Sequence, residues 1–210
     1  MNTTCICILN YNNGPKTVRC ITGIIDQTLP SYRIIVIDNN STDDSLMVIR
    51  DFLGKNQLQC RLVEPMNEFR DVFSDSGEIL IVKSSRNGGY SYGNNIGIRL
   101  AKSLKMFSYL LIINNDVVLK EDFLEEMVKR YDYLRNSYDT AKIALGATEL
   151  GKDRKIHHTG FHYLHLLSGI SFTSPFFPSF KYIVGSCIFT NIDAPLMDES
   201  FFLYFDDTQY

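Results

Sequence analysis

The sequence contains no tryptophan, no C-x-x-C pair and no excess of basic residues. No window approaches the roughly 18 consecutive apolar residues of a membrane-spanning helix, so no spanning segment is read. The formal net charge is -3, which argues against a general nucleic-acid binder, a class that carries a basic stripe. Cysteine is sparse and odd in number: Cys5, Cys7, Cys20, Cys60 and Cys187. Neither a zinc site nor a disulfide framework fits that count and spacing. Cys5 and Cys7 alternate with Ile6 and Ile8 as strand residues do, and the set reads as reduced, mostly buried thiols of a cytoplasmic protein. The N-terminal MNTTCICILN lacks a basic start and a small-residue cleavage site, so no signal peptide is expected. Missing too are a G-x-G-x-x-G after the first apolar run, a P-loop and a G-x-S-x-G elbow. These absences speak against a dinucleotide-binding Rossmann domain, a P-loop nucleotidase and a serine hydrolase.

What is present is an ordinary globular composition, 45% hydrophobic over 210 residues, enough for one sizeable core. The first half alternates two periodicities. Thr4 to Leu9, Arg33 to Ile37, Glu78 to Lys83 and Tyr109 to Ile113 read as strands, with Leu58 to Val63 a shorter one. Between them lie helical patterns: one opening at Pro15 with Val18, Ile21, Ile24 and Ile25 on one face, and one capped by Ser41 or Asp43 with Leu46, Ile49, Phe52 and Leu53 inward. A third follows a glycine-rich turn through Ile98, Ala101 and Leu104, and a fourth spans about Glu121 to Leu134 with an acidic first turn. The alternation predicts an α/β fold, a parallel sheet with helices on both faces. After Lys142 the pattern turns to strands, Ile143 to Leu150 and Tyr182 to Thr190, around a hairpin at Gly151-Lys152-Asp153. Residues 1–210 read as a single domain.

Polar residues gather where strands end. Asn10-Tyr11-Asn12, Asp38-Asn39-Asn40 and Asn114-Asn115-Asp116 each close an apolar run, and SSRNGGYSYGNNIG follows another. Any one cluster is explained by the turn preferences of Asn, Asp and Gly. Four at the carboxyl edge of one parallel sheet point to a shared ligand site there. The inventory of carboxylates, amides and glycines suits a nucleotide whose diphosphate is neutralised by a divalent metal with oxygen ligands.

These stretches, with CICILNYNN, VIDNNSTDDS, LLIINNDVVL, KIHHTG, GSCIFT and DESFFLYFDD, resemble glycosyltransferase family 2. These are the inverting nucleotide-sugar transferases of the GT-A fold, and the rhamnosyltransferase-like branch is the nearer. The resemblance implies a GT-A (Rossmann-like), mixed, mostly parallel central sheet. It implies a nucleotide-diphospho-sugar donor, UDP- or dTDP-linked, and a glycan or lipid-linked saccharide acceptor, with Mg²⁺ or Mn²⁺ as cofactor and no nucleic-acid partner. It also implies a cytoplasmic location, peripheral at the inner membrane face. Asp38 matches the aspartate that reads the pyrimidine ring, left free if Asn39 and Ser41 do the capping. Asn87, Gly88 and Asn94 match the stretch framing the nucleotide-sugar, where glycines allow close approach and a helix start offers N–H groups to phosphate. Asn10, Asn12 and Asn115 complete the nucleotide edge. Asp116 matches the metal motif, with Asn114 standing where the family has a first carboxylate.

Asp207, after Asp206, matches the catalytic base that accepts the acceptor hydroxyl's proton. Gly185-Ser186 matches a family glycine on the acceptor side. The aromatic stretch Phe172 to Phe180 reads either as a contact for acceptor or membrane, or as core. His157 and His158 read as a structural loop in preference to metal ligands. The family pattern continues past the position of Tyr210, so a C-terminal segment is expected to be missing. That leaves a non-catalytic sugar-nucleotide-binding module as the alternative function. A sugar-1-phosphate nucleotidyltransferase would need a glycine- and Lys/Arg-rich signature that NYNNGPKT lacks.

Overall fold

The structure is a computed structural model that describes residues 3–64, 78–140, 142–150, 156–158, 161–165, 171–172, 179–183 and 185–200. In chain order the elements are β1 (Thr4–Asn10), α1 (Gly14–Ile25), β2 (Tyr32–Asp38), α2 (Ser45–Lys55), β3 (Cys60–Val63), β4 (Ile79–Lys83), α3 (Gly89–Ser103), β5 (Tyr109–Asn114) and α4 (Phe123–Tyr138). Short strands follow: β6 (Ala144–Gly146), β7 (Glu149–Leu150), β8 (Ile156–His158), β9 (Phe161–His165), β10 (Ser171–Phe172), β11 (Ser179–Ile183) and β12 (Cys187–Asn191).

The central sheet has seven strands in the order β3-β4-β2-β1-β5-β12-β6. β1 pairs in parallel with both β2 and β5, and β2 with β4, while β12 runs antiparallel between β5 and β6. The strands are apolar on both faces, as a sheet covered twice requires. Ile6, Ile8, Ile34, Val36, Leu111 and Ile113 face α1, α2 and α4 through Ile21, Ile24, Ile49, Leu53, Leu124 and Tyr131. Cys5, Cys7, Ile35, Ile37, Leu110 and Ile112 face α3 through Ile98, Leu100 and Ala101. The expected α/β architecture with helices on both faces is therefore present.

The structure departs from the sequence reading in three places. Ile143 to Leu150 is not one strand: β6 joins the central sheet, whereas β7 pairs with β8 in a separate two-stranded sheet. Tyr182 to Thr190 also splits, because β11 belongs to a three-stranded sheet with β9 and β10 while β12 belongs to the central one. The chain changes sheets at Gly185-Ser186, the break within the YIVGSCIFT stretch. The glycine-rich stretch is mostly helix rather than turn: α3 begins at Gly89, the only glycine among the described residues with positive φ, at 87°. The antiparallel register of Glu149 with His158 agrees with a hairpin, whose tip at 151–155 lies outside the described residues. Most of the 172–180 stretch lies outside them as well.

Candidate active site at the sheet's carboxyl edge

From β1 the chain winds outward through β2 in one direction and later returns through β5 on the other side. The point of reversal lies between β1 and β5, and open sheets of this kind bind ligands outside the carboxyl ends of such strands. The register sets Asn10 beside Asp38 and Leu9 beside Asn114, so the polar strand ends are neighbours in space.

Side-chain bonds join them into one network. Asn10 is fully buried and donates from Nδ2 to Asp38 Oδ1 at 2.8 Å, and its Oδ1 accepts the Thr17 hydroxyl at 2.7 Å. Asn115 Nδ2 donates to Thr17 Oγ1 at 3.0 Å and to Asn10 Oδ1 at 3.3 Å. The network thus crosses the ends of β5, β1 and β2 in turn. From β2 it continues to α3: Asn39 Nδ2 donates to Asn87 Oδ1 at 2.9 Å and to the Gly89 carbonyl at 3.0 Å. Asn12 sits at φ 48°, a left-handed turn conformation that asparagine tolerates. Its Oδ1 accepts the Thr42 N–H at 2.8 Å, tying the first two strand-to-helix loops together.

Asp38 is not the free carboxylate that the sequence leads one to expect. It is fully buried, with Oδ1 accepting from Asn10 Nδ2 and from Ser41 Oγ (2.5 Å), and Oδ2 accepting the Ser41 N–H at 3.1 Å. Ser41 serves Asp38 instead of capping α2. Asp43 does not cap it either: the N-cap is Asp44, without a side-chain cap bond, and Asp43 Oδ1 accepts the Ser45 N–H at 3.0 Å from one residue earlier. A buried carboxylate without such donors would be strongly unfavourable, which explains why the serine is diverted.

Around the start of α3 several buried polar atoms have no partner. Asn39 Oδ1, Asn94 Oδ1 and Ser91 Oγ are enclosed and unpaired. The amide orientations are set by their nitrogens, Asn39 by the bonds above and Asn94 by donation to the Tyr90 carbonyl at 3.2 Å. Unpaired buried polar atoms are rare in folded proteins; Thr4 Oγ1 and Arg33 Nε, toward the opposite ends of β1 and β2, share this state. Gly88 precedes the helix where a side chain would collide with the Tyr92 ring. Tyr90 donates its hydroxyl to the Gly185 carbonyl, and Asn114 N–H bonds the Ser186 carbonyl at 3.0 Å, so the sheet-changing turn is fastened to the same edge.

Asp116 lies just past the end of β5 with a side chain 53% exposed, and Lys16 Nζ lies 3.6 Å from its Oδ2. Among the described residues no group of three His, Cys, Asp or Glu could hold a metal alone. Among the described residues Asp116 offers the site an accessible carboxylate. That is sufficient for a hard cation which takes its remaining oxygens from phosphates and water. Asp207 lies outside the described residues; His157 and His158 fall in β8, a strand and not the loop read from the sequence. Sequence reasoning missed Thr17, Lys16 and Tyr90 as site residues. Thr17 sits one turn past Asn13 in α1, a position whose hydroxyl ordinarily bonds its own helix, so nothing local distinguished it.

The family model described as glycosyl transferase family 2 matches residues 5–191. Glycosyltransferase GlyG of Streptococcus pneumoniae is 26% identical over 120 residues, covering 57% of this chain and 32% of that protein. Poly(ribitol-phosphate) beta-N-acetylglucosaminyltransferase TarP of Staphylococcus aureus is 24% identical over 160 residues, covering 74% of this chain and 40% of that protein. The chain therefore spans well under half the length of these relatives. The crystal structure of S. aureus TarS 1-349 superposes with a TM-score of 0.59 at 13% identity, covering 98% of this chain and 53% of that one. Its complex with UDP gives 0.58 at 12% identity. Those two likenesses establish the shared fold.

Proposed function

This chain belongs to glycosyl transferase family 2, and from that premise we propose that it moves a sugar from a UDP- or dTDP-sugar to a hydroxyl of a cell-surface glycan or lipid-linked acceptor. The observation that carries the reading is the hydrogen-bonded network from Asn115 through Asn10 to Asp38, laid across the switch point with Asp116 just past the end of β5. Asn10, Asn12, Asp38, Asn87, Gly88, Asn94 and Asn115 form the nucleotide-sugar edge.

Transfer proceeds with inversion, as a displacement at the anomeric carbon. The acceptor oxygen forms the new bond while the bond to the diphosphate breaks, and Asp207 takes the hydroxyl proton. Asp116 would hold Mg²⁺ or Mn²⁺ together with the donor, and the ion would supply charge stabilisation to the departing nucleoside diphosphate. Lys16 adds a second positive charge beside Asp116.

Residues 1–210 act as one domain, of the rhamnosyltransferase-like branch, at the cytoplasmic face of the membrane. Among the described residues no helix is long and apolar enough to cross one. TarS binds UDP and TarP is named for N-acetylglucosamine transfer, so uridine nucleotides head the test.

The experiment is calorimetric titration with UDP, dTDP, GDP and CDP, each with Mn²⁺, with Mg²⁺ and with chelator. Metal-dependent binding of UDP or dTDP, lost in Asp116→Ala, is the expected result. Absence of binding by all four overturns the reading. Binding without sugar transfer to any acceptor supports the non-catalytic alternative, and turnover that survives Asp207→Asn removes Asp207 from its role.

A further inference from the structure

The sequence holds two Asn-Gly dipeptides, Asn13-Gly14 and Asn87-Gly88, and the fold treats them in opposite ways. Asparagine is a chemically labile amide, most of all before glycine, where no side chain keeps the next backbone nitrogen from the asparagine Cγ. At Asn13-Gly14 that nitrogen is engaged. The Gly14 N–H donates to Ser45 Oγ at 2.9 Å, and Gly14 is buried against the Ser45 backbone. The Asn13 carbonyl accepts the Thr17 N–H at 3.2 Å and Asn115 Nδ2 at 3.4 Å, while its side chain makes no cap bond. At Asn87-Gly88 the arrangement is reversed. The Gly88 N–H has no partner among the described residues. Asn87 Oδ1 accepts twice, from Asn39 Nδ2 at 2.9 Å and from the Gly89 N–H at 3.1 Å. Both partners are donors, so the oxygen and not the nitrogen of Asn87 meets them. Both residues are half-buried, within reach of water. A Cβ at position 88 would lie 2.3 Å from the Tyr92 ring, so packing itself requires glycine after Asn87.

We propose that Asn87-Gly88 is a self-modification site, where the folded chain converts its own asparagine to aspartate and isoaspartate. The Gly88 nitrogen bonds Asn87 Cγ and gives up its proton. Asn87 Nδ2 leaves with that proton as ammonia, and a succinimide ring closes. Water then opens the ring: attack at Cγ yields aspartate, and attack at the Asn87 backbone carbonyl yields isoaspartate. Negative charge builds on Oδ1 as the ring closes, where Asn39 Nδ2 and the Gly89 N–H already donate. Those two donors stabilise it as an oxyanion hole does. The product sets a carboxylate immediately before α3. The modification stands apart from the donor reading, but its effect on binding rests on the proposed nucleotide-sugar edge, where a new negative charge repels a diphosphate.

The test ages the full chain at mildly alkaline pH, folded and in urea, and follows each asparagine by peptide mass mapping, with isoaspartate read by enzymatic methylation. In the folded chain Asn87 is expected to convert about tenfold faster than Asn13, and the difference should vanish in urea. Equal rates in the folded chain, or a difference that persists in urea, overturn the proposal. Asn39→Leu removes one of the two donors and should slow conversion at Asn87. Faster conversion in that variant shows that Asn39 only holds the loop still, and overturns the oxyanion role. The wild-type comparison of Asn87 with Asn13 decides the proposal even where the variant fails to fold. Aged chain should also lose affinity for UDP with Mn²⁺. Conversion with unchanged UDP affinity supports the modification and overturns the place of Asn87 at the nucleotide edge. Fresh chain that binds no UDP overturns the donor reading alone.

Discussion

Lys16 Nζ, in the first turn of α1, stands 3.6 Å from Asp116 Oδ2, just past the end of β5, with both side chains 53% exposed. An ion pair that wet contributes at most about 1 kcal/mol to folding. Its place is also unfavourable for α1, since a lysine in a first turn that lacks any acidic residue meets the positive end of the helix dipole. Lys16→Met is therefore expected to leave the urea midpoint almost unchanged while weakening UDP binding, most visibly at low ionic strength. Asp116→Ala should be equally silent in stability and should abolish the difference between Mn²⁺ and chelator. Large loss of stability in either variant would show the pair to be structural.

Asp38 presents the opposite case. Its carboxylate holds Asn10, Ser41 Oγ and the Ser41 N–H in a fully buried position. Asp38→Ala strands those donors, at about 1–3 kcal/mol for each buried group left unpaired. Chemical denaturation should show a clearly lowered midpoint. Ser41→Ala, which removes one donor and leaves Asn10 in place, should lose about 1 kcal/mol.

The glycines divide by what surrounds them. A Cβ at Gly14 would lie 2.8 Å from Ser45 Cα and 2.9 Å from its carbonyl oxygen, backbone that cannot rotate aside. Gly14→Ala should cost about 1–3 kcal/mol by overpacking the contact of α1 with α2. At Gly93 the new methyl would press on Leu9 and lie 3.3 Å from Asn39 Cγ, so Gly93→Ala should disturb UDP binding as well as stability. Gly54 has nothing within 4 Å, and Gly54→Ala should stabilise α2 by up to about 1 kcal/mol. Thermal melts of the three variants rank these effects.

Burial pushes the Cys187 thiol up to about 12 from an ordinary 9.0, with Cys20 beside it adding to the shift. Cys20 is likewise raised to about 12, by burial first and then by the nearby Asp116 charge. A raised folded-state value means that the neutral thiols stabilise the fold fully below about pH 9, and that this contribution is lost as pH climbs toward 12. Stability measured in urea should fall along that alkaline limb, and Cys20→Ala should flatten it. At neutral pH a thiol reagent should label the half-buried Cys60 well before the four buried cysteines.

On the acid side, burial raises the Glu199 carboxyl, but donation from Asn95 and Arg99, with the Arg99 and Arg86 charges, outweighs it and holds the group below its usual range. Its contribution is present above the ordinary carboxylate range and is lost as pH falls through the lowered value. Hydrogen exchange at the Met197 N–H, which Asn95 Oδ1 accepts, should quicken on acidification in the wild type and show less pH dependence in Glu199→Gln.

The sequence by itself determined the layering. Runs such as CICIL, IIVI and YLLII, apolar throughout, short and bounded by turn residues, read as strands covered on both sides. The Asn, Asp and Gly residues that stop them had to collect at one edge once the strands ran parallel. It also carried Asn10, Asp38, Asn87 and Asn115 as neighbours, because each closes or follows such a run. What only the tertiary structure decided depends on partners distant along the chain. Asp38 looks the same in sequence whether free or buried, and its state depends on Asn10, 28 residues away. The two apolar runs that change sheets do so because their halves have different neighbours, which periodicity does not register. Asn95 reaches Met197 across 102 residues. A single amide gripping one peptide leaves no pattern in the chain, since a hydrogen bond is specified by position and direction in space, and those exist only after the sheet has set α3 in place.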